Sequence, residues 1–224
     1  MPAMHPYDAA ASEIRRPGRP SSGAAPGMRE LVRLSSLAAS SHNTQPWKFR
    51  VSRESIGILP DFERRCPAVD PDDAHLFRSL GCAAENLVHA AAAQGCAAEP
   101  GFDAATGSIQ VRLQPSPAAR PTDLFRAITV RQCTRTPYDG SPLSRDEINA
   151  LESAGQGPSV RTILLTERKQ LEAVLEYVTQ GNHAQLRDPA FRRELISWIR
   201  FNPGEALRAR DGLAGRTTGQ PSLP

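Results

Sequence analysis

An α+β chain, with a mainly antiparallel sheet flanked by helices, is predicted by three observations. Two pairs of alternating segments lie close enough along the chain to be hairpins: Trp47–Val51 with Ile56–Leu59, and Ala97–Phe102 with Ile109–Leu113. A well-marked helix fills the interval between the pairs. Other helical patterns precede the first pair and follow the second. At 224 residues the chain is one large domain or two intimate halves, long enough to bury a real core.

Residues 1–27 carry Pro2, Pro6, Pro17, Pro20 and Pro26 with Gly18, Gly23 and Gly27, and almost no apolar side chains. Such a stretch buries too little surface to offset its ordering entropy, so a disordered N-terminal tail is expected. Leu31, Val32, Ser35, Ala38 and Ala39 then share one helical face, and Trp47, Phe49 and Val51 alternate as a half-buried strand whose Trp reads as core. Ser52-Arg53-Glu54-Ser55 makes the first hairpin turn. The next helix has Asp70 as N-cap, Pro71 at its first position, and Asp72 and Asp73 at the positive end of its dipole. It runs through Leu76, Leu80, Ala83, Ala84, Leu87, Val88 and Ala91 to a stop at Gly95. That is a rod of about 36 Å at ~1.5 Å per residue. Its Ala-rich middle permits close approach of a helix or sheet. The second hairpin turns at Ala104-Ala105-Thr106-Gly107.

Pro115, Pro117 and Pro121 mark a linker, 115–121, between a first half at 28–114 and a second at 122–224. Thr122 and Asp123 open a helical stretch with Leu124, Phe125 and Ile128. Ser144 and Glu147 form a capping box for a helix ending at Gly155. Ser159–Leu165 reads as a strand, Thr166 as the cap of a helix through Tyr177 and Val178, and Asp188-Pro189 as the start of a helix with Leu195 and Trp198. After Asp211-Gly212 the chain turns to Gly, Thr, Ser and Pro.

Composition excludes several functions. A net charge of +3 leaves no footprint for nucleic acid. Lys48 and Lys169 are the only lysines, so a bound anion would meet arginine forks, which suit phosphate. Cys66, Cys82, Cys96 and Cys133 lack zinc spacing, and Glu85 with His89 is too small a set for a metal. No run approaches the ~20 apolar residues of a membrane span. Arg15-Arg16 is followed by Pro17-Gly18 where a twin-arginine signal turns apolar, so a cytoplasmic, reduced protein is expected.

Two segments stand out for chemistry. Ser41-His42-Asn43-Thr44-Gln45-Pro46-Trp47 joins a helix to a strand through short polar side chains that cannot all be core. Small side chains let a planar ligand reach the backbone, and Asn43 and Gln45 offer donors and acceptors. A polar connection whose amides satisfy the backbone explains the same residues. His42 suits either role. Arg131 and Arg135 flank Cys133, and two guanidinium groups four apart fit one phosphate or are simply a solvated pair. There is no Ser-His-Asp set, paired-carboxylate site or nucleophilic Cys, and no catalytic side chain is assigned.

Ala38-Ala39-Ser40-Ser41-His42-Asn43-Thr44-Gln45-Pro46-Trp47 resembles the (A)PSxxNxQPW signature of nitroreductase-like flavoproteins, in the HNTQPW form of their duplicated, Acg-type relatives. Leu80-Gly81-Cys82-Ala83-Ala84-Glu85-Asn86-Leu87 is similar to the "slGaaaeNL" helix of the family. Arg131-Gln132-Cys133-Thr134-Arg135 with Pro142-Leu143, then Trp198-Ile199-Arg200 and Asp211-Gly212-Leu213, resemble its later motifs. The resemblance implies a nitroreductase-like sandwich that binds FMN. Ser40, Ser41, His42, Asn43 and Gln45 would meet the flavin, with Arg131, Cys133 and Arg135 at its phosphate. Cys133 stands where the family usually has Ser or Thr. It further implies NAD(P)H as electron donor and small electrophiles such as nitroaromatics or quinones as substrates. The alternatives are a flavin holder without turnover and an inactive truncated member. The duplicated relatives continue past the DGL position, so an incomplete second half is expected. A homodimer with flavin near the interface would complete it, with the helix from Asp72 to Gln94 as the helical contact.

Overall fold

The computed structural model describes residues 6–18, 27–133, 137–157 and 159–215. The chain is α+β and divides into two compact units, Met1–Arg135 with Glu194–Pro224, and Thr136–Arg193. In the first unit α1 (Pro6–Ile14), α2 (Met28–Ser35), β1 (Trp47–Val51), β2 (Ser55–Pro60), α3 (Ala74–Ala93), β3 (Cys96–Asp103), β4 (Ser108–Pro115) and α4 (Asp123–Ala127) follow one another. The second contributes α5 (Arg145–Ala154), α6 (Arg168–Arg187) and the first half of α7 (Pro189–Trp198). The chain then returns to the first with β5 (Ile199–Arg200), α8 (Pro203–Ala209) and β6 (Leu213–Ala214). Residues 122–135 and 194–215, read from sequence as parts of a second half, therefore lie in the first unit.

The four main strands form an antiparallel sheet in the order β1-β2-β4-β3. Both expected hairpins are present, pairing Val51 with Ile56 and Asp103 with Ser108. Gly107 supplies the positive φ of the second turn, where the Asp103 carboxylate accepts from Ala105 N at 3.0 Å. One sheet face carries Lys48, Arg50, Glu99, Gln110, Arg112 and Gln114, all exposed. The other meets α2 and α3. Leu31, Leu34, Leu76, Leu80 and Leu87 close there on Trp47, Ile56, Ile58, Val111 and Leu113, with Phe125 and Ile128 at the margin. Each such side chain contributes roughly 1.5–3 kcal/mol.

The Ala-rich face of α3 is used inside this unit. Ala83, Ala84, Ala90, Ala91 and Ala93 are buried, and Ser35 Oγ donates to Ala83 O at 2.7 Å where α2 comes close. The small residues expected to serve a dimer contact thus face the protein's own core. The helix also starts later than its sequence signal. Pro71 and Asp72 form a turn, and α3 begins at Ala74, but the Asp70 carboxylate still accepts from His75 N and Leu76 N. Gly95, at φ +74, ends it.

Part of the expected disordered tail is ordered: Pro6–Ile14 is helix α1. Nothing in α1 is buried, so local sequence carries little signal; neighbours hold it. It packs against α8, Arg33 Nη1 donates to Ile14 O at 2.8 Å, and Arg16 pairs with Glu30 at 3.1 Å. Gly18 sits so close to the Phe125 ring that a Cβ would lie 2.8 Å from it.

The second unit realises the capping box at Ser144 and Glu147, with α5 ending at Gly155. Ser159–Leu165 is not a strand. Gly157 and Val160 make one isolated antiparallel bridge, and Val160 and Ile163 are exposed, because alternation without a partner strand yields no ladder. The next helix is capped at Glu167, not Thr166, and runs on to Arg187. No residue of α5 or α6 is buried, and Leu171, Val174, Leu175 and Val178 form an exposed stripe along α6.

Glu30 makes the pH dependence of the α2 region testable. Hydrogen bonds from Arg33, then from Arg16, and the charges of both bring its carboxyl from 4.5 down to about 2. The stability it adds is complete above pH 4.5 and is lost as pH falls toward about 2. Discounted for partial exposure, that amounts to about 1–3 kcal/mol at neutral pH. Thermal denaturation of Glu30→Gln against the natural chain should show a gap at pH 7 that closes between these values; a gap unchanged with pH would contradict the pairing.

Candidate functional site

The segment Ser40–Gln45 leaves α2 and turns through a single 3-10 turn, Ser41–Asn43, before β1 begins. Three of its residues hold left-handed backbone: His42 at φ 48, Asn43 at φ 54 and Gln45 at φ 52. Asn tolerates this region; for the others it costs roughly 1–2 kcal/mol each. Local bonds offset some of that cost. Asn43 N donates to Ser40 O at 3.1 Å, Thr44 N to Ser41 O at 2.9 Å, and Gln45 N to Ser40 Oγ at 3.0 Å. Thr44 is buried beneath the turn.

The rest of the support comes from the far end of the first unit. Asn43 O accepts from Gly212 N, and Asn43 Nδ2 donates to Gly212 O, both at 3.1 Å. Gln45 Nε2 donates to Arg210 O at 2.8 Å. Between those two contacts the Asp211 carboxylate receives Arg200 Nε at 3.0 Å and Nη2 at 2.6 Å, and pairs with Arg64 Nη2. Arg64 also donates through Nε to Thr44 O. Both guanidinium groups lie over the Trp198 ring, 5.6 and 5.7 Å from its centroid. Gly212, at φ +75, cannot be replaced without strain, since a Cβ there would collide with the Trp198 carbonyl. Residues 210–212 act as a clasp on the loop.

Arg131 reaches the opposite shoulder. Its Nη2 donates to Leu37 O at 3.1 Å, just upstream of Ser40, and its Nη1 lies 3.7 Å from Cys133 Sγ. Its carbonyl accepts from Arg15 Nη1 at 2.9 Å. Arg131 and Cys133 are exposed, and among the described residues no carboxylate neutralises Arg131. Arg135 lies outside the described residues. Ser41, His42 and Gln45 are half-buried, while Asn43 is exposed. The structure thus gathers Ser40, Ser41, His42, Asn43, Gln45 and Arg131 in one region. It also engages the Asn43 and Gln45 amide nitrogens with backbone carbonyls. Among the described residues no group of three His, Cys, Asp or Glu side chains suits a metal ion, and no helix is long and apolar enough to cross a membrane.

Arg64 escaped sequence reasoning altogether, because Phe62-Glu63-Arg64-Arg65 has no periodicity or spacing to single it out. Arg200 and Asp211 were visible only as parts of motifs; the Asp-Gly pair was the one physical signal, a turn with positive φ.

Two proteins of Mycobacterium tuberculosis, from strains CDC 1551 / Oshkosh and ATCC 25618 / H37Rv, are similar to this chain, and each bears the name "Putative NAD(P)H nitroreductase". Each is 30% identical over 183 residues, covering 76% of this chain and 50% of the relative. The chain spans about half the length of the curated relatives it matches. No protein-family model matches it. The likeness supports the nitroreductase family.

Substitutions at the clasp have a defined order of severity. Asn43→Ala loses one hydrogen bond and leaves a Cβ residue at φ 54, so about 1–3 kcal/mol of stability should go in denaturant titration. Asn43→Gly removes the strain and should cost less; Gly212→Ala should cost the most. An unchanged midpoint for Asn43→Ala would show that the clasp carries no energy.

The cysteines divide by burial. Burial first, then the charges of Glu194 and Asp70, pushes the Cys66 thiol up to about 12, and burial raises Cys96 as well. Cys82 and Cys133 are exposed. The thiolate is the reactive form, so a maleimide at pH 8 should label Cys82 and Cys133 quickly and spare the other two in the folded chain. Rapid labelling of Cys66 would contradict its burial.

Proposed function

We propose that the chain is a nitroreductase-family flavoprotein that binds FMN and, with NAD(P)H as electron donor, reduces small electrophiles such as nitroaromatics or quinones. The observation that carries this reading is the left-handed backbone at His42, Asn43 and Gln45 with Arg131, which no carboxylate neutralises among the described residues, at the loop's shoulder, in a chain similar to proteins named as nitroreductases. The donor set fits the group. Arg131 supplies a positive charge for a phosphate, with Cys133 beside it and Arg135 as the second cation of the reading. The Ser41 hydroxyl and the amide oxygens of Asn43 and Gln45 supply donor and acceptor groups for a ring edge, and His42 completes the segment. Bound FMN supplies two-electron transfer between NAD(P)H and an electrophile. What these side chains contribute is binding, orientation and charge compensation.

In the same reading the protein is cytoplasmic, of Acg type, and a homodimer. The exposed stripe on α6 supports self-association, since apolar surface of this kind favours burial against another chain.

The purified chain should be yellow or take up FMN on titration, and should oxidise NADPH with menadione or nitrofurazone. Absence of any flavin uptake removes the cofactor. Bound FMN with oxidation at background level identifies a flavin holder instead of an enzyme.

A further inference from the structure

We propose that Asp211 is the positioning residue of this site: it holds the Asn43–Gln45 loop in the shape that meets the flavin. The role in flavin binding rests on the cofactor reading above; the hold on the loop does not.

Asp211 is placed for this task by both its backbone neighbours and its side chain. The residue before it accepts from Gln45, and the residue after it exchanges two bonds with Asn43. Its carboxylate points to Arg64 and Arg200, and Arg64 bridges from that carboxylate to Thr44 O. One guanidinium therefore ties the centre of the clasp to the centre of the loop. The Asp211 and Arg200 side chains are only 12% and 11% exposed. Charge-assisted bonds sheltered in this way are strong, and removing the anion would leave Arg200 without its ion-pair partner in a sheltered place.

The loop needs such a device because its own sequence does not favour its shape. His42, Asn43 and Gln45 all hold left-handed backbone, and relaxation of any of them to negative φ would redirect the side chains from Ser41 to Gln45. The hold is also separate from the hydrophobic core. The core cluster draws its residues from Leu31 to Ile128, and none comes from the clasp. Neutralising Asp211 should loosen the loop and leave the core intact.

The test reads amide hydrogen exchange in the flavin-free chain, together with FMN binding by fluorescence quenching. Asp211→Asn should speed exchange at Gly212 and Gln45 by about ten- to a hundredfold, as expected for losing a bond to a charged group. Exchange in the middle of α3 should stay unchanged. FMN affinity should fall by a similar factor, and Asp211→Glu should recover part of both effects. Arg64→Ala should reproduce part of the effect, and the double variant Arg64→Ala with Asp211→Asn should fall short of the sum of the two single ones, because both remove the same Arg64–Asp211 pair. If Asp211→Asn fails to fold, Arg64→Ala, which leaves the Asp211–Arg200 pair in place, carries the same test. Unchanged exchange at Gly212 overturns the proposal. So does a rise in α3 exchange that matches the loop, because Asp211 would then support the fold as a whole. A natural chain that takes up no FMN overturns the flavin reading and with it the binding role; the exchange measurement then decides the hold on the loop alone.

Discussion

Left-handed backbone at three non-glycine residues in a row of four is the constraint around which the candidate site is arranged. A chain can hold that shape only where surrounding bonds determine it. Here the bonds come from Ser40 on the near side and from Arg210, Asp211 and Gly212 on the far side. Asp211 is central because it gathers two arginines that stack on one Trp, and one of them reaches back to Thr44. Motifs far apart in sequence, Asn43–Trp47, Trp198–Arg200 and Asp211–Leu213, thus form one physical assembly.

That assembly changes the meaning of the polar loop. Asn43 and Gln45 present donors and acceptors by composition, and the structure realises the reading of a polar connection that satisfies the backbone. Their amide nitrogens satisfy backbone carbonyls, as in a structural connection, while their oxygens remain acceptors. The loop therefore has a structural side turned to the clasp. Arg131 contributes a charge at the shoulder, fixed by Leu37 and by the N-terminal segment through Arg15.

What was legible in the sequence was whatever depends on near neighbours. The hairpins, the capping box at Ser144, the Thr122 cap and the stop at Gly95 all use chemistry within a few residues. Features decided by distant partners were not legible. Helix α1 is held by α8, Arg33 and Glu30, and the alternating Ser159–Leu165 segment lacks a neighbouring strand. The site was legible as a motif and illegible as a geometry. Nothing local marks Arg64, and nothing in the Asp211-Gly212 pair states that its partner lies 169 residues away.

The discontinuous first unit imposes an order in time. A ribosome makes the loop early and its clasp late, with the whole second unit synthesised in between. The core cluster is complete once Ile128 has emerged, so the nascent chain can collapse while residues 42–45 are still free to take ordinary backbone angles. Closing so wide a gap carries a chain-entropy cost that near-neighbour contacts do not, and non-local contacts of this kind slow folding. A polypeptide released before Asp211 would contain every residue of the core cluster and leave the loop unlatched. Such a product would lack both the clasp and the pairing of β5 with β6.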